Sequence, residues 1–90
     1  MTQTFKNQIA LITGASRGIG QAIAEQFAAQ GATVIVSSRS QESCQVVVDK
    51  IIQAGGQAHA MACHNGDSGS RAELIEQIKS KFNRLDILIN

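Results

Sequence analysis

The sequence lacks tyrosine, tryptophan and proline, and features that mark several classes of protein are missing as well. No apolar run approaches the ~18 residues that span a bilayer, so we expect no transmembrane helix. The first residues, MTQTFK, lack the charged and then apolar layout of a secretory signal peptide. The net charge is +1 and no basic cluster is present, so we expect neither a nucleic acid nor a membrane as partner.

Cysteine is scarce too. Cys44 and Cys63 are too few for a disulfide framework, which favours a reducing, cytoplasmic compartment. Cys63 and His64 suggest a metal or nucleophile site, but neighbours on a strand point to opposite faces. Cys44 and His59 are not spaced as the ligands of a zinc site are. We therefore predict no metal site and a core role for the cysteines.

Composition and length set the remaining bounds. Hydrophobic residues make up 43% of the chain and charged residues 17%, which is typical of a globular α/β protein. Ninety residues fall short of the usual domain of about 100–150 residues. The chain is therefore one domain at most, and part of a larger domain remains an alternative.

Strand and helix patterns alternate along the chain. Short, nearly continuous apolar runs, typical of strands buried on both faces, predict strands at 8–13, 32–37, 57–63 and 86–90. Apolar residues at helical spacing fill the gaps between them: Ile19, Ile23 and Phe27; Cys44, Val47, Val48, Ile51 and Ile52; Leu74, Ile75, Ile78 and Phe82. Gly31 and Gly55 are predicted to end the first two helices. Ser70 and Glu73 have the spacing of a capping box, so we predict that the third helix begins there, or a turn earlier near Ser68. This βαβαβαβ order predicts a parallel sheet with right-handed crossovers.

A glycine-rich turn, TGASRGIG at 13–20, lies between the first predicted strand and the first predicted helix. Gly14 allows a sharp turn, Gly18 lets a phosphate approach the backbone, and Gly20 lets the helix pack closely. The N–H groups and dipole of the helix N-terminus then favour a pyrophosphate. Ser16 and Ile19 complete the predicted contacts of this loop. The alternative is an ordinary tight turn, but the strand–turn–helix context favours a dinucleotide site.

The end of the second strand carries Ser38 and Arg39 where NAD-binding sites have an acidic residue. A carboxylate would repel a 2′-phosphate, whereas Arg39 can hold one through charge-assisted hydrogen bonds. Arg17, in the glycine loop, is predicted to converge on the same phosphate, and Ser37 and Ser38 offer hydroxyl groups. These residues favour NADP over NAD, the alternative being that Arg39 is a solvated loop residue.

The motif Thr13-Gly14-x-x-x-Gly18-Ile19-Gly20, together with LDILIN at 85–90, resembles the short-chain dehydrogenase/reductase family across the whole chain. The resemblance implies a Rossmann-type doubly wound sheet with strand order 3-2-1-4 and a cofactor across the carboxyl ends of the strands. It also implies an oxidoreductase that transfers hydride between NADP(H) and a small carbonyl or alcohol substrate, acting as a homo-oligomer.

Three further cofactor positions follow from the resemblance. Asn90 matches the first residue of the family's Asn-Asn-Ala-Gly motif. His64 stands where the family usually has an aspartate that accepts a hydrogen bond from adenine. A neutral imidazole accepts at one nitrogen, so His64 is predicted to take that contact, and Asn65 is predicted to reach the ring through its backbone N–H.

The missing tyrosine bears on activity, because the family's proton donor is the tyrosine of a Tyr-x-x-x-Lys pair beyond the fourth strand. No serine can take the family's catalytic role either, since all precede that strand. We therefore predict no catalytic residue within 1–90, and interpret the chain as the cofactor-binding N-terminal part of a longer, single-domain reductase. A natural non-catalytic nucleotide-binding module and a non-functional remnant remain alternatives.

Overall fold

A computed structural model describes residues 4–15, 18–63 and 68–89, with the backbone alone at 68 and 69. Helices and strands alternate in these residues as the sequence predicts. They are β1 (Ile9–Thr13), α1 (Gly18–Ala29), β2 (Thr33–Ser37), α2 (Gln41–Gln53), β3 (Gln57–Ala60), α3 (Ser68–Phe82) and β4 (Ile87–Ile89). Helix α3 begins at the earlier of the two predicted starts.

The four strands form one parallel sheet in the order β3-β2-β1-β4, which confirms the predicted Rossmann-type arrangement. In the register, Ile9 lies beside Thr33 and Ala10 beside Ile87, so β1 is flanked by β2 and β4. Because all strands run the same way, their carboxyl ends meet at one edge of the sheet. From β1 the chain adds β2 and then β3 on one side, and later adds β4 on the other side. Such a change of side is a topological switch point, and α/β sheets bind ligands at these points.

The sheet is covered on both faces, and the alternation of side chains along β1 shows how. Ala10 and Ile12 pack in one buried cluster with residues of α1 and α2, such as Ala24 and Val47. Leu11 faces the other way and packs in a second cluster with residues of α3. A strand flanked in this way has no solvent-facing side, which explains why its sequence is a continuous apolar run.

The apolar stripe predicted on α1 differs from the face that this helix buries. Ile19 is 81% exposed, and the buried residues of α1 are Ala24 and Ala28. Ile23 and Phe27 are only partly buried at the edge of that cluster. Small side chains on the inner face bring the helix axis close to the sheet, so the larger residues lie at its flanks. On α2, likewise, Ile52 from the predicted stripe is 53% exposed.

Glycines end α1 and α2, as predicted. Gly31 and Gly55 have φ values of +98° and +93°, a left-handed conformation that favours glycine. The backbone N–H of Gly55 donates to the carbonyl of Ile52, and that of Gly56 donates to Ile51. These bonds satisfy the last carbonyls of α2 and turn the chain into β3.

Strand β3 is shorter than the predicted range of 57–63. It ends at Ala60, but its hydrogen bonding to the neighbouring strand does not stop there. The N–H of Met61 donates to the carbonyl of Val36 at 3.1 Å, and that of Cys63 donates to Ser38 at 2.9 Å. Residues 61–63 therefore remain held against the end of β2, where the predicted phosphate-binding residues lie.

Candidate functional site

The β1–α1 loop lies at the carboxyl edge of the sheet, next to the end of β2. Gly14 and Gly18 have φ values of +65° and +62°, and an added Cβ at either would meet open space. The backbone conformation, not crowding, therefore requires glycine at these two positions. The N–H of Ala15 donates to the carbonyl of Ser37 at 3.2 Å, which ties the loop to β2.

Gly20 has a different role from the other two glycines. A Cβ there would collide with the carbonyl oxygen of Gly14 and would lie 3.0 Å from the Cα of Ala15. The first turn of α1 thus packs directly on the loop that follows β1, where the sequence suggested close packing on the sheet. This contact holds the loop in place beneath the N-terminus of α1.

The N-terminus of α1 suits an anion. Its first turn has no acidic residue, so nothing there opposes the positive end of the helix dipole. Gly18 has open space above its backbone, and Ile19 presents an apolar surface beside it. Backbone N–H groups that are unsatisfied at a helix start are the usual donors to phosphate oxygens. The residues present therefore fit a pyrophosphate.

The end of β2 carries a buried hydroxyl group that no group of the described residues satisfies. Ser37 is 1% exposed, and its Oγ has no hydrogen-bond partner in the part of the chain that the structure describes. A buried unpaired hydroxyl is costly, and such a group often indicates a missing ligand or water. Ser37 lies beside the glycine loop, so its position fits a polar group of a bound nucleotide.

Ser38 is engaged with its own loop. Its Oγ lies 3.1 Å from Cys44 Sγ, donates to the carbonyl of Ser40 and accepts from the N–H of Ser40, both at 3.3 Å. Ser38 stays a predicted phosphate contact, although its hydroxyl would have to leave these partners to reach a ligand. Arg39 follows it as an exposed residue between β2 and α2, at the same edge as the glycine loop.

Five predicted site residues lie outside the described residues: Ser16, Arg17, His64, Asn65 and Asn90. The flanking elements nevertheless define where their segments start and finish. Residues 16–17 join the glycine loop to α1, and residues 64–67 join the β3 side of the sheet to α3. Asn90 directly follows β4. The roles predicted for these five residues remain predictions.

One residue of this edge, Gln41, is not predicted by any pattern in the sequence. It is the first residue of α2, and its side-chain amide bonds to the backbone at the end of β3 and just after it. Nε2 donates to the carbonyl of Ala60 at 3.0 Å, and Oε1 accepts from the N–H of Ala62 at 2.9 Å. The partners are about twenty positions away, so only the folded sheet brings them together.

The perturbed ionisable groups lie away from this edge. Hydrogen bonds from Arg84 and from the N–H of Ile9 lower the pKa of Asp86, at the amino end of β4. Burial, and then the charge of Lys81, lower the pKa of His59 on β3. Among the residues described, no group of three or more His, Cys, Asp or Glu could hold a metal ion. No helix in the described ranges is both long and apolar enough to cross a membrane.

Sequence comparison assigns the chain to a known family of proteins. The profile of the family described as short chain dehydrogenase matches residues 8–90. The chain belongs to the short chain dehydrogenase family. The match includes the glycine loop, the end of β2 and all of β4, so it covers every region of the candidate site.

Two curated relatives show how much of a family member the chain represents. It is 42% identical over 88 residues to a fatty acyl-CoA reductase of Acinetobacter baylyi, covering 98% of the chain and 30% of that protein. It is 41% identical over 86 residues to the 3-oxoacyl-[acyl-carrier-protein] reductase FabG of Escherichia coli, covering 96% of the chain and 34% of that protein. The chain thus spans about a third of the length of these relatives.

Solved structures agree with the family assignment. A metagenomic short-chain oxidoreductase in complex with NADP superposes with a TM-score of 0.89 at 37% identity, over 93% of the chain and 38% of that protein. The citronellol catabolism dehydrogenase AtuB of Pseudomonas aeruginosa superposes with a TM-score of 0.94 at 27% identity, over 100% of the chain and 38% of that protein. The described sheet is therefore a common scaffold of these oxidoreductases.

Proposed function

We propose that the chain is the N-terminal, cofactor-binding part of a single-domain oxidoreductase that uses NADP(H) and a small carbonyl or alcohol substrate. The observation that carries this proposal is the glycine loop. Gly14 and Gly18 hold left-handed conformations where β1 leads into α1, and the first turn of α1 has no acidic residue. The relation to a solved family member in complex with NADP supports the same cofactor.

In the proposed complex, each part of the edge binds one part of the dinucleotide. The β1–α1 loop and the first turn of α1 hold the pyrophosphate, through Gly14, Ser16, Gly18, Ile19 and Gly20. Arg39, with Arg17 and Ser38, holds the 2′-phosphate, while His64 and Asn65 contact the adenine and Asn90 lies near the cofactor. Ser37 offers the buried hydroxyl that has no protein partner among the described residues.

The chemistry divides between the cofactor and a region that this sequence does not contain. When bound, NADP(H) supplies the hydride that is exchanged with the substrate carbon. The 90 residues include no tyrosine, so the proton donor implied by the family resemblance is absent from them. We propose that residues 1–90 bind and orient the cofactor and are inactive alone. The parent enzyme is proposed to be a homo-oligomer. It is also proposed to act in a reducing compartment, which is supported by the fact that Cys44 and Cys63 form no disulfide with each other.

The reading frame beyond Asn90 tests the enzyme part of this proposal. We expect it to continue with Asn-Ala-Gly and, further on, a Tyr-x-x-x-Lys motif. A frame that stops at Asn90 or lacks both motifs would favour a non-catalytic nucleotide-binding module, or a remnant that binds nothing. Titrating that chain with NADP would separate those two outcomes.

Substitution of Arg39 tests the choice of cofactor. We expect Arg39→Asp to weaken NADP binding by about ten- to a hundredfold, because a hydrogen bond to a charged group contributes about 1.5–3 kcal/mol. NAD has no 2′-phosphate, so its dissociation constant should change little or fall. Both constants are measured by isothermal titration calorimetry.

Lys79→Asp is the matched control for Arg39→Asp. It makes the same charge reversal in the last turn of α3, far from the carboxyl edge of the sheet. We expect it to leave the ratio of the two dissociation constants unchanged. Equal losses for NADP and NAD in Arg39→Asp, or no loss, would refute the role given to Arg39.

A further inference from the structure

The outer edge of β3 is completed by a side chain instead of another strand. Met61 and Cys63 direct their N–H groups towards β2. The carbonyl of Ala60 and the N–H of Ala62, on the alternate residues, therefore face away from β2, where the sheet has no further strand among the described residues. The amide of Gln41 bonds to both of these groups, as a neighbouring strand would.

Gln41 thereby connects two segments that reach the candidate site from different parts of the chain. One is the Ser38–Ser40 loop, which carries Arg39 and leads into α2. The other is 60–63, which leads towards the predicted adenine contacts. A second connection runs between the same segments, from the N–H of Cys63 to the carbonyl of Ser38.

The loop around Arg39 is held on both sides of that residue. Ser38 and Ser40 are joined by two hydrogen bonds through the Ser38 hydroxyl. The Ser40 side chain caps α2 by accepting from the N–H of Ser43 at 3.2 Å. Any shift of the first turn of α2 therefore moves the backbone at Arg39, and Gln41 is the side chain that fixes this turn to the β3 side.

We propose that Gln41 is a positioning residue for the 2′-phosphate of NADP. Its two hydrogen bonds hold the loop that carries Arg39 at a fixed place relative to 60–63, so that selectivity for NADP over NAD depends on a side chain that needs no contact with the cofactor. The inference rests on the proposed function and deepens it, because it assigns part of the cofactor selectivity to a residue outside the glycine loop.

Helix α2 does not need Gln41 in order to fold. Its buried face consists of Cys44, Val47, Val48 and Ile51, and the Ser40 cap is independent of the Gln41 side chain. Gln41 itself is exposed. Loss of its amide should therefore loosen the connection between the two segments without unfolding the helix, which separates positioning from general stability.

Gln41→Met tests the proposal in the complete polypeptide that carries this sequence. Methionine keeps the length and the helix propensity of glutamine but has no amide. We expect the dissociation constant of NADP to rise about three- to tenfold, the size of one or two net hydrogen bonds. That of NAD should rise less than about twofold, because it has no phosphate for Arg39 to hold. Without ligand, the amide proton of Ala62 should exchange faster with deuterium.

Gln45→Met is the matched control. Gln45 lies one turn further along the exposed side of α2, and its amide donates to Asp49 within the same helix. We expect it to change neither the NADP to NAD ratio nor the exchange at Ala62. If Gln41→Met fails to fold, Gln41→Asn takes its place, since its amide is one methylene too short to span both partners.

The outcomes separate the two proposals. A parent protein that does not prefer NADP to NAD refutes the proposed function and this inference with it. A parent that prefers NADP, combined with a Gln41 variant of unchanged ratio, refutes the inference alone. Equal weakening of both cofactors also overturns it, because that result assigns Gln41 a merely structural role.

Discussion

Gly20, in the first turn of α1, is the glycine of the TGASRGIG motif at which a single added methyl group has no room. Its missing Cβ lets the first turn of α1 rest on the backbone of Gly14 and Ala15. Gly14 and Gly18 are needed for another reason, their left-handed backbone. The sequence predicts three glycines in the loop, but only the structure separates the two that are required by conformation from the one that is required by contact.

We expect Gly20→Ala to lower the free energy of unfolding by about 1–3 kcal/mol, the usual effect of overpacking a rigid contact. It should also weaken NADP binding, because the loop must move to admit the methyl group. Urea denaturation and calorimetry measure the two effects. Gln21→Ala is the control, since the Gln21 amide donates to the exposed Glu25 within the same helix. Equal stability in both variants would contradict the contact assigned to Gly20.

Among the elements, β4 depends on one carboxylate at its amino end. Asp86 Oδ2 accepts from the N–H of Ile9 at 2.8 Å, and Asp86 N–H donates to the Ile9 carbonyl at 3.0 Å. Arg84 adds a two-point ion pair, with Nη2 2.7 Å from Oδ1. A three-residue strand makes few ladder bonds of its own, so this pairing fixes the register of β4 against β1.

The pH dependence of stability tests this role of Asp86. Its pKa in the folded chain is below the ordinary value of 3.8, so the carboxylate contributes stability above that pH and loses it as the pH falls through the folded value. We expect Asp86→Asn to lower the urea midpoint at neutral pH. The variant should also show a flatter decline of that midpoint as the pH falls below 3.8. Asp49→Asn is the control, because the Asp49 carboxylate accepts from Gln45 within α2, and it should keep the decline of the unsubstituted chain.

At the scale of the whole molecule, the sheet has an open edge at β4 in the described part of the chain. β4 pairs with β1 on one side, and Leu88 is 45% exposed on the face opposite Ile87 and Ile89. Unpaired strand edges with apolar side chains promote association between chains. We therefore expect the 90 residues expressed alone to associate through this edge, in addition to any oligomer that the proposed parent enzyme forms.

We expect Leu88→Lys to reduce this association, because a lysine on an edge strand opposes strand pairing. Sedimentation velocity over a range of concentrations measures it. Ile52→Lys is the control, because Ile52 is similarly exposed, at 53%, but lies on α2 away from the edge. The role of the β4 edge would be contradicted by an equal effect of the two substitutions.

The sequence by itself determined the order of the elements, the parallel sheet and the glycine loop. Local patterns carry these features: continuous apolar runs, apolar residues at helical spacing, and glycines between a strand and a helix. Only the tertiary structure decided that Ile19 is exposed while Ala24 and Ala28 are buried, because a close helix–sheet contact selects small side chains. It also decided that Gln41 completes the edge of β3, since that contact depends on the register of strands whose residues are distant in the chain.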